Sequence, residues 1–254
     1  TLALHDALPI YFQKGSAPIV VCASGRSLRG SLPFIQKHRS RFFLIAVSSA
    51  LLPLVTQGIT PDLCISCDGG YWAKRHISFA LRQHPEIPLA LSPESAVFLS
   101  LLKETTVVPL GYGDGISEAF IKEFNISATR AYRNGTVSGT AAQFALSLTD
   151  GNVYFCGLDL APSKGFSHAQ PNELEKDDSL ADNRLRTADS RIAPAEFGSA
   201  SLRIYQNWFA TSSFGGRLYR LSDHYAFQNS LREIRDVDWD FFQQQEGGDP
   251  GLMP

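Results

Sequence analysis

Asp159 and His168 are the side chains in this sequence best placed to do chemistry. They stand nine positions apart in the segment Val153–Ala169, VYFCGLDLAPSKGFSHA. An apolar run, Val153-Tyr154-Phe155-Cys156, reads as a buried strand that passes through Gly157 and delivers Asp159 at its C-terminal end. Open α/β sheets keep their reactive groups at that end of their strands. Histidine titrates near neutrality, so His168 could move a proton or neutralise a departing phosphate. The plainer alternative is an aspartate that caps a loop and a histidine on its surface. A matching device opens the chain: Pro18-Ile19-Val20-Val21-Cys22 runs into Ala23-Ser24-Gly25-Arg26-Ser27-Leu28. The two strand ends together predict a single cleft.

Three further stretches fit that cleft. Ser24, Gly25, Arg26 and Ser27 lie between a strand and a helix, where glycine admits a close ligand and free N–H groups attract anions. The stretch matches neither G-x-G-x-x-G nor a Walker loop, so an ordinary tight turn competes with a phosphate loop. Asp68-Gly69-Gly70 ends the third strand, and its carboxylate suits a metal-bound phosphate or a ribose hydroxyl, or else a turn. Ser138, Gly139 and Thr140 open a helix on small residues, a second anion cradle or simply a site of close helix packing. His224 and Tyr225 form a weaker candidate. No serine stands in a G-x-S-x-G elbow. Cys64-Ile65-Ser66-Cys67 has C-x-x-C spacing, but residues three apart on a strand point to opposite faces. We read the pair as small buried thiols.

The elements that must hold these groups alternate. Strands are predicted at Ile19–Ala23, Phe42–Val47, Leu63–Cys67, Ile87–Leu91, Val107–Leu110, Val153–Cys156 and Leu218–Leu221. Helices are predicted at Leu28–His38, Ala50–Gln57, Trp72–His84, after Ser92-Pro93-Glu94, and at Asp114–Phe124, Asn134–Thr149 and Ala195–Ala210. This order implies an α/β fold with a mainly parallel sheet covered on both faces and a helical C-terminal part. Residues 1–160 read as the α/β core and 161–195 as a polar loop or lid over the site. Residues 196–254 read as a helix-strand-helix segment completing the same domain, with a frayed tail from Gln243. With 254 residues and a net charge of −2, the chain shows no basic footprint for nucleic acid. Its most apolar stretch, Phe42–Val55, is too short and interrupted to span a bilayer. The start, TLALHD, lacks an initiator Met and a basic n-region, so we expect a cytoplasmic protein processed or excised from something longer.

The order and spacing of G-x-S-L, ITPDLCISCD, NGTVSGTAAQFALSL and GLDLAPSKGFSHA resemble the DUF115 family. That family includes the motility accessory factors of flagellin glycosylation and the archaeal 6-hydroxymethylpterin diphosphokinase MptE. The resemblance implies a Rossmann-like three-layer sandwich related to the bacterial sialyltransferases. It maps the family's G-P-S-L loop onto Gly25, Arg26, Ser27 and Leu28, its acid onto Asp68, and its D-L-A…H-A segment onto Asp159 and His168. Arg26 departs from the usual proline. Two transferase readings follow from the resemblance. In one, a nonulosonic sugar passes from a CMP donor to flagellin or another protein acceptor. Its nucleotide phosphate is then held at Gly25, Ser27 and Ser138–Thr140, while His168 assists the leaving CMP. In the other, ATP and Mg²⁺ bind with Asp68, alone or together with Asp159, as metal ligand and a diphosphate is transferred. A third reading keeps the fold as a binding module without turnover.

Overall fold

The protein's structure is a computed structural model that describes residues 12–160, 168–173, 196–221, 231–248 and 250–254, with 196–201 described by backbone only. Apolar runs set the sheet. β1 (Ile19–Cys22), β2 (Phe43–Val47), β3 (Leu63–Ser66), β4 (Leu89–Leu91) and β7 (Val153–Cys156) are buried at every residue. Strands covered on both faces read as continuous rather than alternating hydrophobic stretches. β5 (Val107–Gly111), β6 (Thr129–Arg130), β8 (Leu218–Leu221) and β9 (Arg235–Val237) complete one sheet in the order β6-β5-β4-β3-β2-β1-β7-β8-β9. Every pairing among the described residues is parallel. The helices are α1 (Leu28–Lys37), α2 (Leu51–Val55), α3 (Ser78–Gln83), α4 (Gly115–Glu123), α5 (Val137–Leu148), α6 (Glu196–Thr211) and α7 (Trp239–Gln245). The architecture is a Rossmann-like α/β sandwich.

The strand order fixes where a ligand belongs. From β1 the chain builds outward through β2 to β6, then returns to place β7 against the other side of β1, with Cys22 opposite Cys156. That reversal is the topological switch point, where adjacent crossovers diverge and leave a crevice at the strands' C-terminal ends. The turns after β1 and β7 therefore face each other across one opening.

Several predicted elements come out differently. Trp72–His84 is not one helix: a 3-10 turn, Ala73–His76, breaks at Ile77 before α3 begins. The break is set from outside the segment, because the Glu173 carboxylate accepts the N–H groups of Phe79 and Ala80 at 2.7 and 2.8 Å and caps α3 there. Ser92-Pro93-Glu94 opens no α-helix. Ser95 instead turns its hydroxyl onto the Ser66 carbonyl at 2.9 Å, tying the segment to the end of β3. β6 and β9 are short, polar strands with no apolar run to announce them. The tail expected to fray from Gln243 is anchored in its described residues. Asp238 caps α7 through Phe241 N at 2.7 Å, and Trp239 stacks on Phe34 with 5.5 Å between rings. Leu252 O accepts the N–H groups of Ser16 and Ala17 at 2.9 and 3.0 Å. Most of the lid predicted over 161–195, together with His224 and Tyr225, lies outside the described residues.

Candidate functional site at the switch point

A cleft of about 640 Å³ opens over the C-terminal ends of the central strands. Ser24, Gly25, Arg26, Asp68, Gly69, Ser138, Thr140, Asp159 and His168 all line it. Ser27 and Gly139 stand just behind, holding its walls.

The two turns that define the switch point are bonded to each other. Ser27 N donates to Asp159 Oδ2 at 3.0 Å, and the Ser27 hydroxyl donates to Asp159 Oδ1. Gly25 N donates to Gly157 O at 2.8 Å. A Cβ at Gly25 would sit 2.6 Å from Asp159 Cγ, so glycine is required for this approach. Gly157 is needed on the other side, with φ of +73° and a would-be Cβ 2.9 Å from Leu28 Cβ. The N–H groups of Leu28, Arg29 and Gly30 go to the carbonyls of Gly25, Arg26 and Ser27. The start of α1 thus has its acceptors from within the fold, and the negative group at its N-terminus is Asp159 itself. What this turn offers a ligand is the side chains of Ser24 and Arg26. Ser24 is joined to the β2 end by a 2.7 Å bond from the Ser49 hydroxyl.

The start of α5 is different. Its N-cap, Thr136, makes no side-chain capping bond, and the first-turn N–H groups of Val137, Ser138 and Gly139 have no acceptor within the helix. Val137 and Ser138 face the cleft. Gly139 turns away and lets α6 close in, since a Cβ there would meet Trp208 at 3.0 Å. Thr140 donates its hydroxyl to Tyr132 O at 2.9 Å.

On the β3 side, Asp68 receives Gly70 N on Oδ1 at 2.8 Å, and its side chain is exposed in the cleft. Gly69 passes so close to the Glu94 carbonyl that a Cβ would lie 2.8 Å from it. Burial pushes the Cys67 thiol up, partly opposed by the Thr140 and Tyr112 hydroxyls beside it. Burial also pushes the Tyr112 phenol to about 12. All four cysteines are free thiols. Arg133 lies over the Tyr112 ring at 4.3 Å and is held by Glu94 and Asp114. The pairing with Arg133, helped by Ser117, keeps the Glu94 carboxyl down at about 2.

A short strap, His168–Glu173, crosses the mouth. Ala169 N donates to Ser24 O at 2.7 Å, Asn172 Nδ2 donates to Ser49 O at 3.2 Å, and Glu173 caps α3. The strap brings the His168 ring to 5.3 Å from His76, which also lines the cleft.

Sequence reasoning missed Ser48, Ser49, His76, Tyr112, Arg133 and Tyr205, all of which line the cleft. Ser48 and Ser49 follow the apolar run of β2, so the strand-end rule applied to β1 and β7 would have found them. His76 was hidden inside a segment read as a continuous helix. Arg133 and Tyr205 carry no local signal.

The family model described as 6-hydroxymethylpterin diphosphokinase MptE-like matches residues 3–165, which include β1 to β7 and both turns of the switch point. The chain belongs to the MptE-like family. An uncharacterized protein of Treponema pallidum (strain Nichols) is 32% identical over 227 residues, covering 88% of this chain and 49% of that protein. This MptE-like chain therefore spans about half the length of that relative. The structure of the MAf glycosyltransferase from Magnetospirillum magneticum AMB-1 aligns with a TM-score of 0.47 at 18% identity, over 62% of this chain and 25% of that one. No helix among the described residues is long and apolar enough to cross a membrane.

Proposed function

We propose that this MptE-like chain is a nucleotide-dependent transferase that moves a nonulosonic sugar from a CMP donor to a hydroxyl of flagellin or another protein acceptor. The observation that supports the reading is one convergence. The uncapped start of α5, the Ser24 hydroxyl, Arg26 and His168 share a single switch-point cleft. Such a set suits a phosphate: first-turn N–H groups and hydroxyls donate to its oxygens, while a guanidinium and an imidazolium balance its charge. In the transfer step the acceptor hydroxyl oxygen attacks the anomeric carbon and releases its proton to solvent, and the sugar–phosphate bond breaks with its electrons passing to CMP. Charge grows on the departing phosphate, and stabilisation there lowers the barrier. His168 neutralises that charge. The Asp159–Ser27 bonds keep the β1 and β7 turns in register beneath it.

A second reading is favoured by the family itself, described as diphosphokinase-like. Asp68 is the residue that would hold Mg²⁺, because its carboxylate is exposed in the cleft with one oxygen accepting Gly70 N. One carboxylate together with substrate phosphate oxygens is a usual donor set for this ion. The metal would supply charge neutralisation on the transferred phosphoryl groups.

Thermal unfolding against CMP, CDP, ATP and GTP, each with and without Mg²⁺, separates the two. A ligand at about 100 times its Kd adds about 2.7 kcal/mol to the folded state. Stabilisation by the cytidine nucleotides without metal supports the sugar transferase. A response to ATP or GTP that requires Mg²⁺ replaces it with the kinase. Silence across the panel overturns both and leaves a module without turnover.

A further inference from the structure

We infer that His76 and His168 together form a paired-imidazole clamp for the phosphate of the substrate, an anion site built from the turn after β3 and the strap that crosses it. The inference rests on the transferase reading and says where in the cleft the negative group is gripped. The two rings lie 5.3 Å apart and inclined at 60°, both half-buried and both lining the cleft.

Three features of the fold make this a built arrangement. The strap is fixed along its length, by Ala169 N on Ser24 O, by Asn172 on Ser49 O and by Glu173 on the first turn of α3. α3 begins two residues after His76, so the strap that carries His168 also anchors the helix that positions His76. The usual anion seat of such folds, the N-terminus after β1, is already filled: Asp159 takes both donors of Ser27, and the next three N–H groups have backbone acceptors. A substrate phosphate must find its positive partners elsewhere in the cleft.

A phosphate between the rings pairs more strongly with imidazolium than with neutral imidazole, so its binding favours the protonated forms. The charged groups lining the cleft with the pair are Arg26 from the β1 turn, Asp68 from the β3 turn, Arg133 from the segment before α5 and Asp159 from the β7 turn. Arg133 is engaged with Glu94 and Asp114, and Asp159 with Ser27. Lys74 and Arg75, on the same 3-10 turn as His76, lie against Tyr71 and Trp72. Glu173, on the strap, is engaged with α3. Ser48 and Ser49 from the β2 end are neutral.

The test is isothermal titration of wild type, His76→Gln, His168→Gln and the double variant with inorganic pyrophosphate and, separately, with CMP. Each is run from about pH 6 to about pH 8, across the range where imidazole titrates, in two buffers of different ionisation enthalpy. The clamp predicts proton uptake of up to about one per anion bound by wild type and a loss of about tenfold in affinity for either single variant at the acid end. It predicts that the double variant loses less than the product of the two single effects, because each ring works through the other. Phosphate's own titration is common to all four proteins and cancels in the comparison. Equal pyrophosphate affinity and pH profile in wild type and His76→Gln overturn the clamp even where CMP binds, which leaves the transferase reading standing. Histidine-dependent binding of pyrophosphate without any nucleotide binding keeps the clamp and removes the transferase. Binding of neither probe by folded wild type overturns both. Circular dichroism establishes that each variant is folded, and His168→Gln supplies the measurement should His76→Gln fail to fold.

Discussion

Replacing Asp159 measures directly how the two halves of the site are joined. Its carboxylate accepts Ser27 N at 3.0 Å and the Ser27 hydroxyl, across 132 residues of sequence. Hydrogen bonds to a charged group contribute about 1.5–3 kcal/mol each, and the partial exposure of Asp159 puts these two at the low end. Asp159→Ala therefore costs about 3 kcal/mol, the sum of two such bonds, and leaves two donors at the α1 start without their acceptor. Asp159→Asn keeps the shape and one carbonyl acceptor, so it loses the charge and about 1 kcal/mol. At about 2–4 °C per kcal/mol for a chain of this size, the melting temperature falls by about 6–12 °C for alanine and about 2–4 °C for asparagine. Urea unfolding monitored by circular dichroism gives the free energies, and thermal melts give the shifts. Losses below about 0.5 kcal/mol for both variants, the range of ordinary surface substitutions, would refute the argument that Asp159 holds the switch point together.

Two other side chains give sharp expectations. Arg220 and Asp236, register partners within β8 and β9, form an ion pair at 2.5 and 2.8 Å, with side chains only 6% and 3% exposed, and Arg220 also donates to Leu158 O at 3.3 Å. Arg220→Met strands a buried carboxylate and costs about 3–5 kcal/mol in urea unfolding, whereas Arg220→Met combined with Asp236→Leu costs less than the single change; a loss below about 1 kcal/mol for Arg220→Met contradicts this. Burial raises the Glu173 carboxyl above its ordinary value of 4.5 despite the N–H groups it accepts. The folded chain then holds a proton that the unfolded chain has released, so stability from this group falls as pH rises through 4.5 toward the raised value. Glu173→Gln lacks that fall, and the urea midpoints of variant and wild type converge or cross as pH rises through this window; parallel curves would rule it out.

The central fold was legible because its signal is local. Runs such as Ile19–Cys22, Phe43–Val47 and Val153–Cys156 are apolar at consecutive positions, and only strands covered on both faces want that pattern. The small-residue turn at Ser24–Ser27 and the acid at Asp159 were legible for the same reason, since each follows such a run. Where polar residues took their partners from far along the chain, local reading failed. The helix drawn through Trp72–His84 breaks because Glu173, about 90 residues on, caps its second half. The helix drawn after Ser92 is replaced by turns because Ser95 bonds to the end of β3.

The sequence by itself determined an α/β chain with polar turns at two strand ends and named most of the side chains around them, because hydrophobic runs and turn residues act within a few positions. Only the tertiary structure decided what those side chains do to one another. Asp159 spends its carboxylate on Ser27, the start of α5 is left uncapped toward the cleft, and His76 meets His168. Each of these depends on strand order: β7 returns to β1 only after five other strands have been laid down, and no spacing in the sequence encodes which groups that return brings together.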